Sequence, residues 1–276
     1  MEVFTDWRKT MPIATKVVEE IKGKGVILPA FTAMQLKRVI RKLKSFPWVL
    51  KGNANVTYSQ YGEDIIILKL LERCKIDNIT YLDIGANHPV MGSNTFSFYQ
   101  RGFRGVLIEP NPYLFNQLKR VRPDDTFLNI GISNTTESQA DFYMFDDVYN
   151  PLNTFSYEDA KGCEAQGIYI KQTIKLPLKN INDVIEENFK QPPVLVSIDV
   201  EGLDEQILRG LDYSKHAPFI VCVETVIFSR EGVMEKRKEI LDFMESAGYF
   251  IYADTHVNTI FCNQLLYNNY LKNKEE

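Results

Sequence analysis

The stretch Tyr81-Leu-Asp-Ile-Gly-Ala-Asn-His-Pro89 constrains this chain more than any other. An apolar run ends there in an acid and a tight glycine turn. After a gap the length of a short helix, a second apolar run, Gly105-Val-Leu-Ile-Glu-Pro110, ends in another acid, Glu109. A doubly wound α/β domain holds a nucleoside-bearing cofactor in this way: the turn beyond the first strand takes the polar tail, and the second acid takes the ribose hydroxyls. Gly85 is expected to let the backbone approach the ligand, because a Cβ would crowd it. The three-glycine turn that a pyrophosphate needs is missing: Asn87 and His88 replace the later glycines and Pro89 stiffens the loop. This argues against a nicotinamide or flavin dinucleotide and for a ligand without phosphates.

The flanking pattern fits such a domain. Strands are expected over 79–83, 105–109, 126–132, 194–199 and 219–224, with a closing hairpin over 249–253 and 259–262. Helices are expected over 63–73, 93–100, 112–120, 181–188, 203–208 and 233–247. Residues 140–145 and 168–178 read as extended. The Asn-, Asp- and Ser-rich segment between them reads as a long irregular excursion, of the kind that forms functional lids. Alternating strands and helices imply an α/β fold with a mainly parallel sheet and helices on both faces. Four of the strands end in acids: Asp83, Glu109, Asp199 and Glu224. Carboxylates converging on one sheet edge repel unless a cation, a donor-rich ligand or protons separate them. S-adenosylmethionine would supply a sulfonium, an ammonium and ribose hydroxyls, and a divalent metal would also satisfy them.

Composition narrows the classes. A formal charge of −4 over 276 residues gives no reason to expect nucleic-acid binding. Four scattered cysteines lack metal spacing and disulfide density, so reduced thiols in a cytoplasmic protein are expected. Met1 to Thr10 carries Asp6, Arg8 and Lys9 instead of an apolar signal core. Residues 1–55 read as a helical, basic extension ahead of the main domain at 56–276. Within 31–51, Leu36, Val39, Ile40 and Leu43 recur at helical spacing among Lys37, Arg38, Arg41, Lys42 and Lys44. Two readings stand for this helix: packing on the main domain with a solvated basic face, or peripheral docking on an anionic membrane surface.

An ordered set of short motifs then becomes specific. Ser59-Gln-Tyr-Gly-Glu-Asp64, Asp83-Ile-Gly-Ala-Asn87, Ser93-Asn-Thr95, Ile108-Glu-Pro-Asn-Pro112 and Ser197-Ile-Asp-Val-Glu-Gly202 follow one another, joined by Asn153-Thr-Phe-Ser156 and Asn258-Thr-Ile-Phe261. Together they resemble the FkbM family of S-adenosylmethionine-dependent methyltransferases. The resemblance implies a Rossmann-like class I methyltransferase fold with a seven-stranded sheet, and methyl transfer to a hydroxyl of a sugar, glycan or related natural product. Carried onto this chain, it implies that Asp83, Gly85, Ala86 and Asn87 line the methionine part of the cofactor. Glu109 would bind the ribose and Gln60 would close over the cofactor. Many methyltransferases have an acid near the adenine after the third strand. This chain has Asn129-Ile-Gly-Ile-Ser133 there, which leaves Asn129 or backbone amides for the adenine.

In-line displacement needs an aligned acceptor oxygen and a base for its proton. Asp199 and Glu201 are the leading candidates, with His88 as the alternative. The same three residues could gather a divalent cation, but nothing in their spacing is dedicated to one, so metal-free transfer is favoured. A different class of function also stands: a non-catalytic cofactor-fold protein that recruits glycan-synthesis partners at the membrane.

Overall fold

The apolar runs become the middle of a sheet. In a computed structural model, which describes residues 55–145, 150, 152–200, 202–228 and 234–272, β1 (Thr80–Ile84) pairs in parallel with β2 (Arg104–Ile108), and β2 in turn with β3 (Thr126–Leu128). On its other side β1 pairs with β7 (Leu195–Ile198), and β7 with β8 (Ile220–Glu224), again in parallel. β12 (Asn258–Asn263) runs antiparallel to β8 and to the edge strand β11 (Tyr249–Asp254). The seven-stranded order is thus β11-β12-β8-β7-β1-β2-β3, with β12 alone reversed. Every residue of β7 and β8 is buried, which is why these segments are nearly continuous apolar runs.

Helices α1 (Glu63–Cys74), α2 (Phe96–Gln100), α3 (Pro112–Val121), α4 (Tyr157–Glu164), α5 (Ile181–Asn188), α6 (Asp204–Gly210), α7 (Tyr213–His216), α8 (Lys238–Ser246) and α9 (Gln264–Lys272) complete the described residues. The core divides into two apolar clusters. One gathers Leu82, Val106, Val196, Ile207 and Ile240; the other gathers Ile67, Leu71, Leu107, Leu195 and Ile260. Alternate residues of β1, β2 and β7 enter opposite clusters, as strand periodicity requires. α3 shows the local rules plainly: the Asn111 side chain accepts from the Tyr113 N–H, Pro112 occupies the first turn, and Lys119 and Arg120 close the last.

Two expectations change. The strand expected over 126–132 breaks after Leu128, because Asn129 donates from its amide to the Glu109 and Pro110 carbonyls, at 2.7 and 2.8 Å. β4 (Gly131–Ile132) then leaves the main sheet and joins a three-stranded sheet with β6 (Ile170–Lys179) and β5 (Gln139–Phe145). The helix expected over 233–247 begins only at Lys238. Its first part is a strand, β10 (Met234–Lys236), paired with β9 (Val226–Phe228). The basic extension at 1–55, and the membrane-facing reading of 31–51, fall almost wholly outside the described residues. Among those residues no helix is long and apolar enough to cross a membrane.

Candidate active site

Two adjoining cavities open at the carboxyl edge of the sheet. The smaller, of about 70 Å³, lies between Glu109, Leu114, Ile130, Asn153 and Phe155. The wider, of about 750 Å³, is lined by residues that include Gln60, Asp83, Ala86, Glu224 and Arg237. Gly85, Asn87, Thr154 and Asp199 line both and form the neck between them.

The turn after β1 makes the neck. Gly85 has a φ of 81°, and an added Cβ would lie 1.9 Å from the Asp199 carbonyl oxygen. The close approach of the loop after β7 by itself requires a glycine here. Gly85 and Ala86 donate their N–H groups to the Ile108 carbonyl at 3.0 and 3.1 Å. The exposed Asn87, left-handed at φ 50°, donates its N–H to Glu109 Oε2 at 2.7 Å. Glu109 Oε1 accepts from the Asn111 N–H at 2.8 Å. Each Glu109 oxygen keeps lone pairs for further donors. Burial pushes this carboxyl up to about 7, and the charge of Asp83 adds to the effect.

Asp83 sits deeper, at 5% exposure. Its Oδ2 accepts from the Thr95 hydroxyl at 2.5 Å, and Thr95 accepts from Arg122 Nη1 at 3.0 Å. Arg122 is itself fully buried. Its Nε meets Asp125 at 2.9 Å and its Nη2 meets the Tyr81 hydroxyl at 3.1 Å, while Tyr81 donates to Asp125 at 2.7 Å. Burial raises the Asp83 carboxyl above its ordinary range, against the pull of Arg122 and Thr95. Sequence reasoning did not find Arg122. The Ser93-Asn-Thr95 motif is explained by this network: Ser93 caps the Phe96 N–H, Thr95 holds Asp83, and Asn94 donates to Ser197 at 3.1 Å. Asn94 also lines the wide cavity, and its buried Oδ1 has no partner.

Other expected residues divide clearly. Gln60 and Ala86 line the wide cavity. Asp199 is exposed at the neck. Glu201 lies outside the described residues. His88 lines neither cavity: its Nδ1 accepts from the Val90 and Met91 N–H groups at 3.1 and 2.9 Å, so the ring caps a turn. Asn129 also lines neither cavity, and its amide holds the loop after β2. Among the described residues no group of three or more His, Cys, Asp and Glu is placed to hold a metal ion.

The excursion between β5 and β6 roofs the site. Thr154 pairs with the Tyr143 backbone, and Phe155 packs over Gly131, where a Cβ would lie 2.6 Å from the ring. Asn153 lines the small cavity; its Oδ1 accepts from the Phe145 N–H at 3.0 Å, while its buried Nδ2 has no partner. Glu158, Asp159 and Cys163 of α4 line the wide cavity. The entry loop is pinned from the far side. Glu63 Oε1 accepts from the Thr255 hydroxyl and Asn258 amide at 2.6 and 3.1 Å, and Asp64 accepts from the Ser59 hydroxyl at 2.9 Å.

The strand order, the acid after β2 and the paired cavities define a Rossmann-like class I methyltransferase. The chain matches the model of the methyltransferase FkbM domain over residues 83–251, more than half its length. It belongs to the FkbM family of S-adenosylmethionine-dependent methyltransferases. No curated protein matches it. Among solved structures it is similar to a putative caffeoyl-CoA O-methyltransferase from Staphylococcus aureus, at 11% identity and a TM-score of 0.40, covering 90% of this chain and 97% of that one. It is also similar to an S-adenosylmethionine-bound amino pentose methyltransferase from Micromonospora echinaspora, at 9% identity and a TM-score of 0.39, covering 79% and 96%. A TehB-like methyltransferase from Corynebacterium glutamicum is 10% identical at a TM-score of 0.37, covering 82% and 97%.

Proposed function

We propose that the chain methylates a hydroxyl of a sugar, glycan or related natural product, with the adenosine of the cofactor in the small cavity and the acceptor in the wide one. The observation that carries this reading is the shared neck. Asp199 lines both cavities, so a ligand passing from one to the other would bring its reactive centre past this carboxylate.

The lining fits the cofactor. Leu114, Ile130 and Phe155 offer apolar walls for the base, and the orphaned Asn153 Nδ2 offers a donor. Glu109 would accept from the ribose hydroxyls, and Asp83 would face the ammonium. When bound, S-adenosylmethionine supplies an electrophilic methyl group on a sulfonium. The protein must then align the acceptor oxygen and take its proton as the new bond forms. Asp199 has the exposure for this. Glu201, two residues on, is a second candidate from the same loop. The acceptor class follows from the donor balance. Glu158, Asp159, Asp199 and Glu224 are acceptors when ionised, and Asn94 Oδ1 is a buried acceptor without a partner, so the wide cavity suits a ligand rich in O–H donors.

The test is incubation with labelled S-adenosylmethionine and a panel of nucleotide sugars, lipid-linked glycans and oligosaccharides. Mass spectrometry then places the methyl group. A sugar oxygen is the expected site. Transfer to nitrogen or carboxyl alone, or to nothing in the panel, would overturn the reading.

A further inference from the structure

We infer that Arg237 recognises an anionic group of the acceptor, so that the acceptor carries a carboxylate or phosphate besides the hydroxyl that is methylated. This rests on the wide cavity being the acceptor site.

The Arg237 N–H donates to the Thr225 carbonyl at 2.7 Å, which fixes the residue beside the end of β8, ahead of α8. Its side chain lines the wide cavity with Glu224 and Val226. Its Nε is shielded from water and has no hydrogen-bond partner. Its neighbour Lys236 is different. That ammonium meets Asp254 and the Thr225 hydroxyl, each at 2.8 Å. Asp204 feels the field of Arg237, yet its oxygens accept from the Val200 and Gly202 N–H groups at 3.1 and 3.2 Å and stay on the loop after β7.

A buried guanidinium N–H without an acceptor is costly unless a ligand supplies one. The planar fork of arginine matches the paired oxygens of a carboxylate or phosphate. A neutral sugar would not need it, because Gln60, Asn94, Gln166 and the carboxylates of the lining already offer partners to hydroxyls. The acids of the cavity have other roles in the same reading: Glu158, Asp159 and Glu224 take the acceptor's hydroxyls. In the reading above, Asp83 and Asp199 face the cationic part of the cofactor and the reacting oxygen. Among the described residues, Arg237 is then the cation that faces the acceptor.

The experiment titrates protein loaded with S-adenosylhomocysteine with glucuronate, glucose 1-phosphate and glucose by calorimetry. At least one anion should bind roughly tenfold or more tightly than glucose. Arg237→Gln should abolish that preference and bind S-adenosylhomocysteine as the native protein does. The stronger of the two anions tells carboxylate from phosphate. Equal binding of glucose, no binding of either anion, or anion binding unchanged in Arg237→Gln overturns the inference. So does weakened cofactor binding in that variant, which would move Arg237 to the cofactor's own carboxylate. If the native protein does not bind S-adenosylhomocysteine at all, the proposed function falls and this inference falls with it. If it binds but shows no anion preference, this inference alone fails.

Discussion

Asp83 and Asp199 come from neighbouring strands of one sheet, and their surroundings could hardly differ more. In the β1–β7 register Asp83 stands level with Ser197, so Asp199 lies two residues beyond it toward the cavity. That difference in height decides their chemistry. Asp83 is sunk at 5% exposure, bonded to Thr95 and backed by the Arg122 network. Asp199 is exposed at the neck of the two cavities. A carboxylate clamped from behind is suited to orienting a cation. One that projects into the cavity is suited to exchanging a proton with an acceptor. The acids of the floor are thus paired within the fold, and we place the chemistry at its edge.

The sharpest way to break this contrast is Arg122→Met. It removes the cation from Asp125 and Asp83 and leaves two buried carboxylates without a neutralising charge, which should cost about 3–5 kcal/mol of stability. Denaturant unfolding checks it. A loss below about 1 kcal/mol, at the level of an ordinary surface pair, would mean the floor does not depend on the network. Next comes Asp199→Asn, which should keep S-adenosylhomocysteine binding and lower turnover by about 10²–10⁴-fold, the usual worth of general-base assistance. Glu201→Gln is the matched variant. Full activity in both would remove the loop after β7 from the mechanism.

Glu109 offers a pH test that separates cofactor binding from turnover. Burial puts its carboxyl at about 7. Ribose hydroxyls donate best to the ionised form, which gains population as pH rises. Affinity for S-adenosylhomocysteine should therefore increase from pH 6 to 8, by at most about tenfold per pH unit below the pKa. The sign follows from the raised pKa: the neutral form is favoured in the free protein at low pH, and binding must pull the proton off. Calorimetry across this range checks it, and Glu109→Gln should flatten the profile.

Much of this contrast could be read from the chain, but its depth could not. The acids stand out in the sequence because each ends an apolar run, and strand periodicity assigns their face. How far each lies from the sheet edge depends on register between strands more than 100 residues apart. The same limit hid Arg122. It lies in the charged stretch Lys119-Arg-Val-Arg-Pro-Asp-Asp125, where nothing local separates it from Arg120. Its partners Tyr81 and Thr95 lie 41 and 27 residues away. His88 and Asn129 had suitable chemistry for a site, but backbone groups two or three residues from His88 and about 20 from Asn129 engage their polar atoms. In the sequence the Asn153-Thr-Phe-Ser segment reads equally as a lid or as an ordinary polar loop, and the small cavity beneath it depends on β4 lying outside the main sheet.

Asn153 in the roof, like Asn94 at the floor, has a polar atom that the fold leaves without a partner, and this gives the smallest expected effect on function. Asn153 Oδ1 ties down the Phe145 N–H, while Nδ2 is buried and unpaired at the small cavity. Asn153→Asp keeps an oxygen for Phe145 and replaces only the unpaired donor. Stability should fall by about 1–3 kcal/mol, because the new carboxyl oxygen is buried there without a donor. Affinity for S-adenosylhomocysteine should fall about five- to tenfold, the worth of a single hydrogen bond of roughly 1 kcal/mol. Thermal unfolding and calorimetry on the same variant give both numbers. If affinity holds while stability drops, Asn153 is a structural cap and the roof is closed on itself. If affinity drops as well, the roof reads the nucleoside, and the two faces of the cavity divide orientation from recognition.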